Sequence, residues 1–242
     1  MSEHPGRLLL LSNSRNFGGG YLDHAEEWIR GFLGDPVRRA LFIPYAGVTM
    51  SWDDYAGTVS ERFSRFQVQV TSIHRAKHAV KEIESADAII VGGGNTFHLL
   101  KQLYDNGALW AIRERVLAGV PYIGWSAGSN VACPSIRTTN DMPIVEPARF
   151  EALRLVSFQI NPHYTEAAIA NHGGETRPQR IAEFTKANPG MVVVGLREGS
   201  ALRVVHGVIT LLGPHPATVF RAGSEPVEFA PGQLSLHWEV AS

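Results

Sequence analysis

Pro121-Tyr122-Ile123-Gly124-Trp125-Ser126-Ala127-Gly128-Ser129-Asn130 is the stretch that decides how this chain is read. An apolar strand pattern over Tyr122–Trp125 runs straight into Gly124-x-Ser126-x-Gly128, and small residues able to open a helix follow. A nucleophilic serine needs this order. It must stand on a sharp strand-to-helix turn, with flanking glycines removing the side chains that would clash there. The helix N-terminus beneath it then offers free N–H groups and the positive end of a dipole to developing negative charge. A small-residue turn with serine as a plain N-cap would carry the same letters. The strand before it and the switch to helix after it favour the nucleophile.

Outward from this turn, the first half of the chain alternates short apolar runs with amphipathic stretches. Leu8–Leu11, Ala40–Ile43, Val68–Thr71, Ala88–Val91 and Tyr122–Trp125 read as strands buried on both faces. Helical patterns lie between them at Leu22–Phe32, Trp52–Phe66, Ala79–Ser85 and Phe97–Leu117, the last with a break near Asn106-Gly107. Such alternation predicts an α/β fold with a doubly wound, mostly parallel sheet. After Ser126 the pattern changes. Residues 133–150 read as a long ordered loop, Arg154–Ile160 and Met191–Leu196 as strands, and Arg177–Lys186 as a helix. Leu202–Val205, a His206-Gly207 turn and Val208–Leu212 suggest a hairpin. With Thr218–Arg221 and Val227–Phe229 they predict a C-terminal antiparallel extension. No repeat, low-complexity tract or linker divides the sequence, so a single domain over residues 1–242 is expected.

The 22 basic and 23 acidic residues give a formal net charge of −1, which predicts no bulk attraction to nucleic acid or to an anionic membrane. A charged partner must therefore be recognised locally. The single cysteine, Cys133, excludes an internal disulfide and offers no thiol cluster for a structural metal. It reads as a buried small apolar residue rather than a second nucleophile. The apolar run near the N-terminus is too short for a signal sequence or a membrane span, so a cytoplasmic location is expected.

A serine hydroxyl needs a base, and ten histidines compete. His4, His24, His74, His78, His98, His206, His215 and His237 lie in contexts that give no reason to converge on Ser126. His163 follows Gln159-Ile160-Asn161-Pro162 at the expected carboxyl end of a strand, the edge where open α/β sheets gather reactive groups. His172 sits close behind it in the polar Asn171–Gly174 loop. Two carboxylates compete to orient the imidazole, whose second N–H must be accepted for the tautomer to be right. Asp141 lies in the loop Arg137-Thr138-Thr139-Asn140-Asp141, and Glu198 lies just past the strand ending at Leu196. Strand-end position favours Glu198, and Asp141 stays open as orienter, loop organiser or substrate contact.

Ala88-Ile89-Ile90-Val91-Gly92-Gly93-Gly94-Asn95-Thr96 ends a strand and opens a helix. Three successive glycines let backbone N–H groups face a ligand closely. A nucleotide cradle fits poorly: the run has no G-x-G-x-x-G and no following lysine. An oxyanion hole fits better, with an N–H from Gly93 or Gly94 joining that of Ala127. Gly18–Gly20 reads as a plain connection.

The runs Val91–Thr96, Gly124–Gly128 and Thr138-Thr-Asn-Asp-Met-Pro-Ile144, together with Leu8–Ser14, Phe42–Val48, Gln159–His163 and Gly174–Arg177, resemble the peptidase E family of aspartyl dipeptidases over nearly the whole chain. The resemblance implies a fold related to class I glutamine amidotransferases, with serine in place of their cysteine. It implies hydrolysis of dipeptides carrying an N-terminal aspartate, without metal or cofactor. Carried over, Ser126 is the nucleophile and His163 the base, while the third member falls on Asp141 or Glu198. Such a substrate brings a side-chain carboxylate, for which the planar fork of an arginine is best suited. Arg137 and Arg177 are the candidates, and Asn95, Asn161 and Thr139 could line the pocket. Two other readings compete: a cyanophycinase-type exopeptidase cutting β-linked aspartyl–arginine units, and a non-catalytic small-molecule or nucleotide binder built on the glycine run. A lipase or esterase of the α/β-hydrolase fold lacks the expected apolar lid segment.

Overall fold

The computed structural model describes residues 6–34, 37–167 and 173–234. Its elements in the first half are β1 (Leu8–Leu11), α1 (Glu26–Leu33), β2 (Arg39–Ile43), α2 (Trp52–Ser64), β3 (Gln69–Ser72), α3 (Ala79–Ser85), β4 (Ile89–Val91), α4 (Thr96–Asp105), α5 (Ala108–Leu117) and β5 (Tyr122–Trp125). The second half holds α6 (Ala127–Val131), β6 (Gln159–Pro162), α7 (Arg177–Ala187), β7 (Val193–Leu196), β8 (Ala201–Val205), β9 (Val208–Leu212), β10 (Ala217–Phe220), β11 (Val227–Phe229) and β12 (Gly232–Leu234).

The main sheet runs β12-β9-β8-β1-β5-β4-β2-β3. From β1 to β3 its neighbours are parallel, and β8, β9 and β12 add antiparallel strands at the other edge. Successive strand residues point to opposite faces, so a run apolar at every position is buried twice over. Leu8 and Leu10 join Leu41, Ile43, Ile89 and Val91 in a core beneath α4 and α5. Leu9 and Leu11 join Phe42, Ile90, Ile123 and Trp125 in a second core with α1 and α2. The doubly wound sheet expected from the sequence is thus present, with its antiparallel extension.

Local residues set the helix ends. Ser51 caps α2 by accepting the Asp54 N–H, and Asn95 caps α4 by accepting that of His98. Thr176 and Gln179 form a reciprocal capping box on α7. Gly107, at φ 65°, breaks the long helical pattern into α4 and α5, where the sequence marked a break.

Two departures matter for the site. β6 and β7 do not extend the main sheet: they are parallel neighbours in a second sheet ordered β11-β10-β7-β6. The expected strand over Arg154–Ile160 also shortens to begin at Gln159. The reason is local pairing. The N–H groups of Leu153, Arg154 and Leu155 are taken by the carbonyls of Val131, Cys133 and Ala132, so this segment wraps the end of α6. α6 touches β5, β1 and β4 of the main sheet as well as β6 of the second. All five of its residues are buried, and its two polar side chains are satisfied: Ser129 donates to Leu11 and Asn130 to the Ile160 carbonyl. Among the described residues, no helix is long and apolar enough to cross a membrane.

Candidate active site

Ser126 sits at the carboxyl end of β5 with φ 52° and ψ −112°, a conformation that side-chain-bearing residues rarely adopt. Close packing holds it there. A Cβ on Gly124 would lie 2.6 Å from the Gly128 carbonyl oxygen, and one on Gly128 would lie 2.2 Å from that of Val91. Both glycines are therefore needed where the turn presses on its neighbours. The hydroxyl of Ser126 caps no helix N–H, so the plain N-cap reading does not describe it. It lies instead 3.0 Å from His163 Nε2.

His163 follows β6 and also has a positive φ of 53°. Its Nδ1 is 2.6 Å from Glu198 Oε1. In this chain of contacts Ser126 Oγ–H donates to Nε2 and Nδ1–H donates to Glu198, which is the tautomer that leaves a lone pair facing the hydroxyl. The His163 side chain is 37% exposed and that of Glu198 54%. His24, His74 and His98 are engaged elsewhere, beside Trp28, with Asp53 and with the Tyr45 carbonyl. His4, His172 and His237 lie outside the described residues.

Asp141 is placed differently from Glu198. Its Oδ2 accepts from Thr96 N (2.8 Å), Thr96 Oγ1 (2.5 Å) and Thr139 Oγ1 (3.0 Å), tying its loop to the first turn of α4. A carboxylate there also meets the positive end of that helix. The two candidate acids thus separate in space: one is bonded to the imidazole, the other to a helix start.

The glycine run is shaped by its neighbours. Tyr55 Oη fills the place of a Gly92 Cβ at 2.6 Å, and the Ala46 carbonyl that of a Gly94 Cβ at 2.2 Å, with Gly94 at φ 136°. Gly93 passes so near the turn that its Cβ would stand 3.0 Å from that of Ser126. Trp125 Nε1 donates to Tyr55 Oη, which donates to the Gly93 carbonyl, and so the peptide plane beside Ser126 is fixed. Among the described residues the N–H groups of Gly93 and Gly94 have no backbone acceptor. Ala127 opens α6, where an N–H has no intrahelical partner. Gly93, Gly94 and Ala127 thus leave three backbone donors without a backbone acceptor among the described residues, on the segments that flank Ser126.

Ser126, His163, Gly93, Gly94 and Asn95 line a cavity of about 700 Å³ together with Tyr21, Trp125 and the 46–50 loop. A second cavity of about 280 Å³ is lined by Arg137, Arg177, Arg180, Asp141, Asn161 and Phe184. The 139–144 segment serves both, Ile144 the first and Thr139 to Asp141 the second. The two candidate arginines differ. Arg137 bonds Ser135 Oγ through Nε and Asn188 Oδ1 through Nη1 and stacks over Phe184, so two of its nitrogens are already engaged. Arg177 keeps a buried Nη1 with no acceptor among the described residues. Burial lowers its guanidinium from the ordinary value and Arg180 adds to that, while Glu198 and Asp141 pull the other way. A cation in that state favours an incoming carboxylate.

Cys133 is buried beneath α6, and burial pushes its thiol up to about 12, against a donation from the Ile160 N–H. It carries no thiolate for nucleophilic work near neutrality. Among the described residues, no group of three or more His, Cys, Asp or Glu side chains is placed to share a metal ion. Sequence reasoning passed over the 46–50 loop, Tyr55, and the pair Ser12-Asn13 at the end of β1. The last was visible as two polar residues directly after four leucines.

The family profile described as Peptidase family S51 matches residues 8–212. A peptidase E of Nostoc sp. is 49% identical over 225 residues, covering 93% of each chain. A peptidase E of Salmonella typhimurium is 50% identical over 225 residues, covering 93% of this chain and 98% of its own. Among solved structures, a peptidase from an acI-B1 actinobacterium superposes with a TM-score of 0.68 at 17% identity, over 95% of this chain and 99% of its own. That last likeness concerns the fold.

Proposed function

The chain belongs to peptidase family S51, and from that premise we propose that it is a serine dipeptidase that releases N-terminal aspartate from Asp-Xaa. The observation that supports this most is the continuous hydrogen-bonded line from Ser126 Oγ through His163 to Glu198, at 3.0 and 2.6 Å, opening on a cavity. In the proposed cycle His163 Nε2 takes the Ser126 proton as Oγ attacks the aspartyl carbonyl carbon. Glu198 holds the imidazole's tautomer and stabilises the imidazolium. The N–H groups of Gly93 or Gly94 and of Ala127 receive the oxyanion, each donor contributing about 3 kcal/mol to the transition state. His163 then gives its proton to the leaving amine, and water, activated the same way, clears the aspartyl ester.

Arg177 is the proposed partner of the substrate's side-chain carboxylate, because its guanidinium retains a buried donor with no acceptor among the described residues, whereas Arg137 already gives Nε and Nη1 to Ser135 and Asn188. Asp141 is assigned to loop order rather than to His163. The nucleotide-binder reading loses ground on the glycine run, whose missing side chains make room for Tyr55, Ala46 and Ser126.

The test is a product assay with purified enzyme on α-Asp-Leu, Leu-Leu and β-Asp-Arg, alongside Ser126→Ala. Cleavage of α-Asp-Leu alone, lost in the variant, is expected. Preference for β-Asp-Arg would select the cyanophycinase-type alternative. A Ser126→Ala enzyme that still cuts would overturn the mechanism.

A further inference from the structure

Resting on the reading that Ser126, His163 and Glu198 act together, we propose that Ser12 is a positioning residue that fastens His163 and Glu198 to the strand beside Ser126. The problem it solves is architectural. Ser126 ends a strand of the main sheet, whereas His163 and Glu198 follow β6 and β7 of the second sheet. Two separately built sheets must bring their side chains into register, since a misplacement of about 1 Å can cost about 100-fold in rate.

The three residues at the carboxyl end of β1 make that connection. The Leu11 carbonyl takes the Ser126 N–H at 3.1 Å and Ser129 Oγ at 2.7 Å. Ser12 Oγ accepts the His163 N–H at 2.8 Å and donates to the Leu196 carbonyl at 2.8 Å, while its own N–H donates to Ser200 at 2.9 Å. Asn13 Oδ1 accepts the Gly199 N–H at 2.8 Å. Glu198 is thereby pinned on both sides, and His163 is pinned at its own backbone.

Ser12 is fully buried, so its hydroxyl touches no substrate and takes no part in proton transfer. A hydroxyl is required because the position must both accept and donate. Alanine there removes the acceptor of the His163 N–H and one of the donors to the Leu196 carbonyl, which keeps its bond from the Tyr164 N–H. His163 tolerates that poorly, since its φ of 53° persists only while its surroundings hold it.

The experiment compares wild type, Ser12→Ala, Ser12→Thr and the distant core control Ile83→Val. It measures kcat and KM on Asp-Leu, thermal midpoint, and the downfield proton resonance of the His163 Nδ1–H held by Glu198. Ser12→Ala should lower kcat by about 10- to 100-fold with KM within about twofold, the pattern of misplaced catalytic groups. The His163 resonance should broaden or vanish, and Ser12→Thr, which keeps the hydroxyl, should restore both in part. Ile83→Val should lower the melting temperature without the kcat loss. The proposal fails if Ser12→Ala keeps full kcat and an unchanged resonance, or if its kcat loss only matches that of Ile83→Val at equal loss of thermal stability. If wild type cleaves no aspartyl dipeptide, yet the resonance is present and lost in Ser12→Ala, the positioning role stands and the peptidase assignment is what fails.

Discussion

Replacing Glu198 by glutamine tests which carboxylate serves His163. The exchange keeps shape and removes charge from a group 2.6 Å from Nδ1. During acylation the imidazole becomes positively charged, so the quantity at stake is the attraction between imidazolium and carboxylate. For charges about 4 Å apart this is about 1 kcal/mol in bulk water and about 4 kcal/mol at an effective dielectric constant of 20. With side chains 37% and 54% exposed, the pair lies between these limits, near about 2–3 kcal/mol. At 1.36 kcal/mol per decade, kcat should fall about 30- to 150-fold. That is less than the roughly 10⁴-fold loss known where a serine peptidase's orienting acid is fully buried. Asp141→Asn is the matched comparison. It weakens the link to Thr96 at the start of α4, which should cost about 1 kcal/mol of stability and leave kcat within about threefold. Steady-state release of leucine from Asp-Leu, with melting curves on both variants, measures these effects. A hundredfold loss in Asp141→Asn beside a nearly intact Glu198→Gln would refute the assignment.

Arg177→Ala should raise KM for Asp-Leu by about 10- to 100-fold, as expected for losing a charge-assisted bond, whereas Arg137→Ala should chiefly lower the melting temperature. Equal KM effects in an inhibition series with free aspartate would count against that division. Cys133, its thiol raised to about 12 by burial, stays protonated at pH 8, so iodoacetamide should neither label the folded protein nor reduce activity. Rapid labelling with loss of activity would contradict this. Gly128→Ala must displace either α6 or the Val91 carbonyl 2.2 Å away and should cost about 3 kcal/mol, with activity lost as the Ser126 turn shifts. Gly57→Ala, in a helix with nothing within 4 Å of the new methyl, should instead gain about 0.5–1 kcal/mol; denaturant titration separates the two.

The parts of this fold legible in the sequence are those governed by local periodicity. Leu8–Leu11 could only be a strand covered on both faces, and both covers are present. Gly124-x-Ser126-x-Gly128 announced its turn because the constraint is steric and lies within five residues. What was not legible depends on contacts between distant segments. Arg154–Ile160 has strand-like composition, yet its first residues pair with the end of α6, and nothing local could say so. His163 was found as the residue after a strand, but that strand belongs to the second sheet, and its reach to Ser126 is set by packing across α6. The sequence favours Glu198 over Asp141 only by its place just past a strand, since nothing local names the partner of either carboxylate. Only placement in space separates one beside an imidazole from one beside a helix start. Arg137 and Arg177 were alike for the same reason, until Phe184 and Asn188 occupied the first.

An activated Ser126 is the premise of every step in the proposed cycle. Incubation with a fluorophosphonate, followed by peptide mapping in a mass spectrometer, measures this at the atom concerned. The expected result is a single adduct on Ser126, formed in step with loss of activity and suppressed in His163→Ala. An enzyme inactivated with its adduct on another residue, or labelled just as fast without His163, would contradict it.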